Sequence, residues 1–184
     1  MGKQFPTNIL QQSLDLNREA IKAGEPVLIG TFQLGLFDLK DGRLYNAFTT
    51  NILSEVKVQC INKTIYLWVP LVIQEPRVIF DLVYLTNIGA GELLIYLDGL
   101  YLNVTLAIPK PPKPPGAKTK VLKLNLLATP GLGFRSSTRN PLGAVLSTAL
   151  NLLLRTFRWP AVRIVEIIIE DLTKRFVDKT DLPL

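Results

Sequence analysis

The sequence predicts an α+β fold: a strongly curved antiparallel β-sheet wrapped around a long, kinked C-terminal helix, with a second helix at the N-terminus. Three observations carry this expectation. Residues 140–178 repeat apolar side chains at helical spacing on both sides of Trp159-Pro160. Residues 27–128 alternate at the two-residue period of strands, and residues 6–24 form a separate amphipathic helical pattern. No break in composition divides the 184 residues, which are read as a single domain, 1–184.

Helix 6–24 begins at Pro6-Thr7. Ile9, Leu10, Leu14, Ala20 and Ile21 lie on one side, and Gly24 followed by Glu25-Pro26 stops it. From Val27 the alternation takes over, with Phe32, Leu34 and Leu36 against Thr31, Gln33 and Gly35. Lys40-Asp41-Gly42-Arg43 reads as a hairpin turn, and Asn62-Lys63 as another. Val56, Val58 and Cys60 are expected to point inward. Residues 64–73 are apolar on both faces, and Gln74-Glu75-Pro76 closes that run. The longest strand pattern, 92–108, slips phase at Asp98-Gly99 from Leu93, Ile95 and Leu97 to Leu100, Leu102 and Val104, the signature of a β-bulge. Residues 109–116 are too rich in proline for helix or interior strand and form a stiff loop. A last strand at Leu122, Leu124 and Leu126 precedes the helices.

Asn140-Pro141 opens the C-terminal pattern as N-cap and first turn. Leu142, Val145, Leu146, Ala149, Leu152, Leu153 and Phe157 leave only Ser147, Thr148 and Asn151 for the other face, so this helix is expected to be covered on nearly every side. Past Pro160 it becomes amphipathic, with Val162, Val165, Ile168, Ile169, Leu172 and Phe176 on one face.

Composition narrows the function. The chain has no histidine and one cysteine, Cys60, which removes intrachain disulfides and the usual zinc ligands and imidazole bases. Its serines have no triad partner, and Gly89-Ala90-Gly91 is no dinucleotide fingerprint. The chain is therefore read as non-enzymatic, with no metal, no nucleic-acid partner and no cofactor beyond a bound hydrophobic ligand. Hydrophobic residues reach 48% with only 8% aromatic, and that aliphatic excess implies an apolar cavity between sheet and helix. Its expected lining is Phe32, Leu34, Tyr66, Trp68, Phe80, Tyr84, Leu102 and Val104 from the strands. Val145, Leu146, Ala149, Leu153 and Phe157 would complete it from the helix. Sequons at Asn62 and Asn103 mark expected glycosylation and a secreted, extracellular protein whose signal peptide has been removed. The net charge of +6 includes Lys110, Lys113, Lys118 and Lys120 around the proline loop, an expected contact for anionic surfaces.

Residues 140–150 and 171–176 resemble the terminal helix of the mite group 7 allergens. Residues 78–104, with Tyr84, Gly89-Ala90-Gly91-Glu92 and Asp98, are similar to the central strands of insect takeout-like and juvenile-hormone-binding proteins. All belong to the tubular lipid-binding (TULIP) superfamily. The resemblance implies a curved sheet around a long helix, and a secreted arthropod carrier of a lipid, terpenoid, carotenoid or lipopeptide. Takeout-like proteins carry an N-terminal disulfide that a chain with one cysteine cannot form, so the allergen-like branch is the nearer. Two other readings stand beside the carrier: a binder of anionic lipid or lipopolysaccharide surfaces, and a structural β protein with a filled core.

Overall fold

The computed structural model describes the backbone of residues 5–34, 37–84, 90–110, 119–138, 141–156, 162–163 and 165–169. Helix α1 (Phe5–Ala23) leads into strands β1 (Val27–Ile29), β2 (Phe32–Leu34) and β3 (Phe37–Tyr45). A short 3-10 turn precedes β4 (Thr50–Ile52), β5 (Lys57–Ile61) and β6 (Thr64–Gln74). Then come β7 (Arg77–Tyr84), β8 (Ala90–Tyr96), β9 (Gly99–Pro109), β10 (Lys120–Ala128), β11 (Gly133–Thr138) and helix α2 (Pro141–Thr156). Residues 162–163 and 165–169 are helical.

The strands form two antiparallel sheets. One has six strands, ordered β1-β3-β7-β8-β11 with β2 also on β3; the other has five, ordered β10-β9-β6-β4 with β5 also on β6. Among the described residues the chain passes from one sheet to the other four times: before β4, between β6 and β7, between β8 and β9, and between β10 and β11. These corners are bonded to one another. Glu75 N–H donates to the Asp98 carbonyl (3.2 Å), Asp98 N–H to Pro130 (3.0 Å), and Asn46 Nδ2 to Glu75 (2.7 Å). Thr49 Oγ1 donates to the Gln74 carbonyl at 2.8 Å. One seam thus carries the four described crossings, and backbone groups there are satisfied by one another and by the Asn46 and Thr49 side chains where no ladder can reach.

The expected single curved sheet around a long, kinked helix does not form. The phase slip at Asp98-Gly99 is real, but it turns a corner between β8 and β9 and makes no bulge within one strand. Inverting the phase at a corner lets both arms point into one shared core: Leu93, Ile95 and Leu97 before it, Leu100 and Leu102 after it, all buried. The same inversion at Gln74–Pro76 takes Leu71 and Ile73 to Val78, Phe80 and Leu82. Asp41-Gly42, expected as a hairpin turn, instead lies inside β3 as an irregularity, with Asp41 at φ 49°. Gly42 is buried there because the Phe80 ring occupies the space a Cβ would need. Asn62-Lys63 does form the tight turn between β5 and β6, with Asn62 at φ 53°.

The helices are short, 19 residues in α1 and 16 in α2, and among the described residues there is no long, kinked C-terminal helix. The interruption expected at Trp159-Pro160 and the continuation to residue 178 lie outside the described residues. Helix α1 covers the free edge of β4. Gln11 Oε1 accepts from Ile52 N–H (2.9 Å), Thr7 Oγ1 accepts from Val56 N–H (2.9 Å), and Arg18 donates to the Phe48 carbonyl and Asn51 Oδ1. Such cover removes an open ladder that could pair with another chain.

Helix α2 docks with its polar side inward. Ser147, 6% exposed, donates from Oγ to the Ser136 carbonyl (3.0 Å), and Asn151 Oδ1 accepts from Ser136 N–H (3.2 Å). β11 is an edge strand whose backbone needs partners, and Ser147 and Asn151 supply them. The apolar residues Val145 and Leu152 are left 69% and 67% exposed, the reverse of the helix expected to be wrapped on all sides.

Candidate functional site

The principal core joins both sheets to the C-terminal helical residues. Val165, Ile168 and Ile169 are buried against Leu44, Val78, Ile95, Leu97, Leu100 and Leu102. Between them lies a small cavity of about 50 Å³. The six-stranded sheet contributes Leu44, Val78 and Ile95, the corners Pro76 and Leu97, the five-stranded sheet Ile73, Leu100, Leu102 and Leu124, and the helical residues Val165, Ile168 and Ile169. Among the described residues, no lining side chain carries a polar atom. A pocket of this kind stays dry and exerts only dispersion and hydrophobic attraction. An apolar void of ~150 Å³ accepts benzene, so this one has room for no more than a chain end.

The expected lining residues are divided between several places. Leu102 borders the cavity. Phe80 is fully buried in the same core without bordering it, and meets the half-buried Phe32 edge-on (5.8 Å, 79°). Val104 is half-buried farther along β9. Leu34 and Tyr84 end β2 and β7, and Leu146 and Leu153 belong to α2; these four side chains, and the whole of Phe157, lie outside the described residues. Tyr66 and Trp68 are on the opposite face of the five-stranded sheet, because Leu67 and Val69 take the inward positions of β6. Val145 and Ala149 are exposed, since Ser147 and Asn151 claim the docking face of α2. Cys60, expected inward, is exposed on β5.

The helical contribution comes from a different stretch than the sequence suggested. Val165, Ile168 and Ile169 replace Val145 and Ala149, and the signal that marks them is the apolar stripe after Pro160. That stripe is amphipathic, so one side of it must bury, whereas the residues around Ala149 are nearly uniform and give no direction.

Asn62 is exposed at its turn, and Asn103 is half-buried in the middle of β9, on the same face as Trp68. Lys110 and Lys120 are exposed; Lys113 and Lys118 lie outside the described residues. Lys110 N–H donates to the Lys63 carbonyl (2.8 Å), which brings a third exposed lysine, Lys63, to the same end of the sheet. Its sequence position, remote from the proline loop, hid that association.

No protein-family model matches the chain, and a search of curated proteins returns no match.

Proposed function

We propose that this protein is a non-catalytic carrier that binds the apolar part of a small hydrophobic molecule between its two sheets. The observation that carries the proposal is the cavity whose described lining side chains are all Leu, Ile, Val or Pro, with Val165, Ile168 and Ile169 on its helical side. Binding is driven by removal of apolar surface from water, ~25 cal/mol per Å². Because the cavity is only about 50 Å³, a ligand larger than a chain end enters as the C-terminal helical residues move outward. The ligand class, a lipid or terpenoid, and secretion are parts of the same proposal. Organic extraction of freshly purified protein followed by mass spectrometry tests it. A stoichiometric hydrophobic molecule is expected. Protein that is empty, and that fails to take up a lipid mixture offered at saturation, would instead be a structural β protein with a filled core.

A second reading is favoured by one observation, the gathering of Lys63, Lys110 and Lys120 at one end of the five-stranded sheet. Each lysine near an anionic membrane contributes ~1 kcal/mol. Co-sedimentation with phosphatidylserine vesicles, weakened at least tenfold by changing all three to glutamine, is the expected result. Equal binding by that variant would rule the reading out.

A further inference from the structure

We infer that a second binding site, for a neutral saccharide, lies on the face of the five-stranded sheet turned away from the core. An open groove of about 630 Å³ runs there, bordered by Trp68, Pro70, Lys57, Gln59, Glu55 and Asn103. That size falls within the ~300–1,000 Å³ of small-molecule sites. The cross-strand register gives it a flat floor: Trp68 lies between Lys57 on β5 and Thr105 on β9, and Pro70 is opposite Asn103. Tyr66 stacks beside Trp68, centroids 6.3 Å apart at 27°, extending one aromatic surface along the strand. The loop forming the outer wall is pinned at both ends. Leu53 N–H donates to the Pro70 carbonyl (2.8 Å), and Val56 N–H to Thr7 Oγ1 (2.9 Å).

The polar groups around this floor are uncommitted. Among the described residues, the side chains of Glu55, Lys57, Gln59 and Trp68 make no hydrogen bond or ion pair, and Asn103 Oδ1 is shielded from solvent without a donor. This combination selects a ligand by elimination. A purely apolar molecule would strip water from five polar side chains and return nothing. An anion would meet the Glu55 carboxylate, and a cation the Lys57 ammonium. A neutral sugar satisfies both requirements: its C–H face lies on the indole, and its hydroxyls both donate to Glu55 and Gln59 and accept from Lys57 and Gln59. The apolar cavity is on the opposite side of the same sheet, so the two sites are independent.

The test uses the full chain made in a host without N-glycosylation, which leaves Asn103 bare. The chain has two tryptophans, and Trp159→Phe makes Trp68 the sole reporter. Cellohexaose, maltohexaose and chitohexaose are titrated in turn. At least one is expected to shift Trp68 emission saturably, with affinity reduced at least tenfold in Gln59→Ala and in Lys57→Ala at unchanged melting temperature. Both variants alter exposed positions on β5, so folding is not at stake. Silence with all three sugars at millimolar concentration, or parental affinity in both variants, would overturn the inference.

Discussion

The backbone N–H of Glu75 donates to the carbonyl of Asp98 (3.2 Å), tying the corner between β6 and β7 to the corner between β8 and β9. Asp98 also fills the space beside Gly131 at the corner between β10 and β11, where φ is +65°. An L-residue pays for that conformation and would displace the carboxylate as well. Gly131→Ala is therefore expected to destabilise by ~1–2 kcal/mol. Gly24→Ala, at a glycine with negative φ and ordinary contacts, should be neutral or mildly stabilising. Urea unfolding of the two variants checks the pair.

Ser147→Ala should cost ~1–3 kcal/mol, because the Ser136 hydroxyl and carbonyl both lose the Ser147 hydroxyl as a partner in a buried setting. Leu152→Lys should change stability by less than ~0.5 kcal/mol, since that side chain faces water. Thermal melts that ranked the two in the opposite order would mean that α2 docks through its apolar side.

Helix α1 is held partly by charge. The Asp15 carboxyl sits below its ordinary 3.8 because it accepts hydrogen bonds from Arg18 and then from Gln11. A depressed folded pKa stabilises above the unfolded value and is lost as pH falls through the folded one. Asp15→Asn should therefore narrow the gap to wild type as acid unfolding proceeds below about pH 3.8, with no gain at neutral pH. Arg18→Ala should cost more, ~1–2 kcal/mol, since Arg18 also bonds the Phe48 carbonyl and Asn51. Acid titrations followed by circular dichroism measure both.

Local chemistry made α1 and the Asn62-Lys63 turn legible: glycine then proline ends the helix, and a two-residue turn accommodates asparagine at positive φ. The phase slip at Gly99 was equally visible, but a bulge and a corner invert the phase alike. Which of them forms depends on whether Leu100 and Leu102 pair beside β7 or beside β6, and no local pattern records a distant partner. The orientation of α2 was hidden for a related reason. Apolar residues around Ala149 argued for burial, while the unmet hydrogen bonds of β11, which draw Ser147 and Asn151 inward, exist only once the sheet has an edge. In the cavity, Leu102 could be read from its strand, whereas Trp68 shares that strand pair and points the other way.

The most direct measurement is a fluorescence titration with dansyl-labelled undecanoic acid, comparing wild type with Leu124→Trp and Ala149→Trp. Leu124 is half-buried and borders the cavity, so a larger ring there fills the space, while Ala149 is exposed on α2. Leu124→Trp is expected to weaken binding at least tenfold, and Ala149→Trp to bind as wild type does. Undiminished binding by Leu124→Trp, with loss in Ala149→Trp, would contradict a ligand held between the sheets beneath Val165, Ile168 and Ile169.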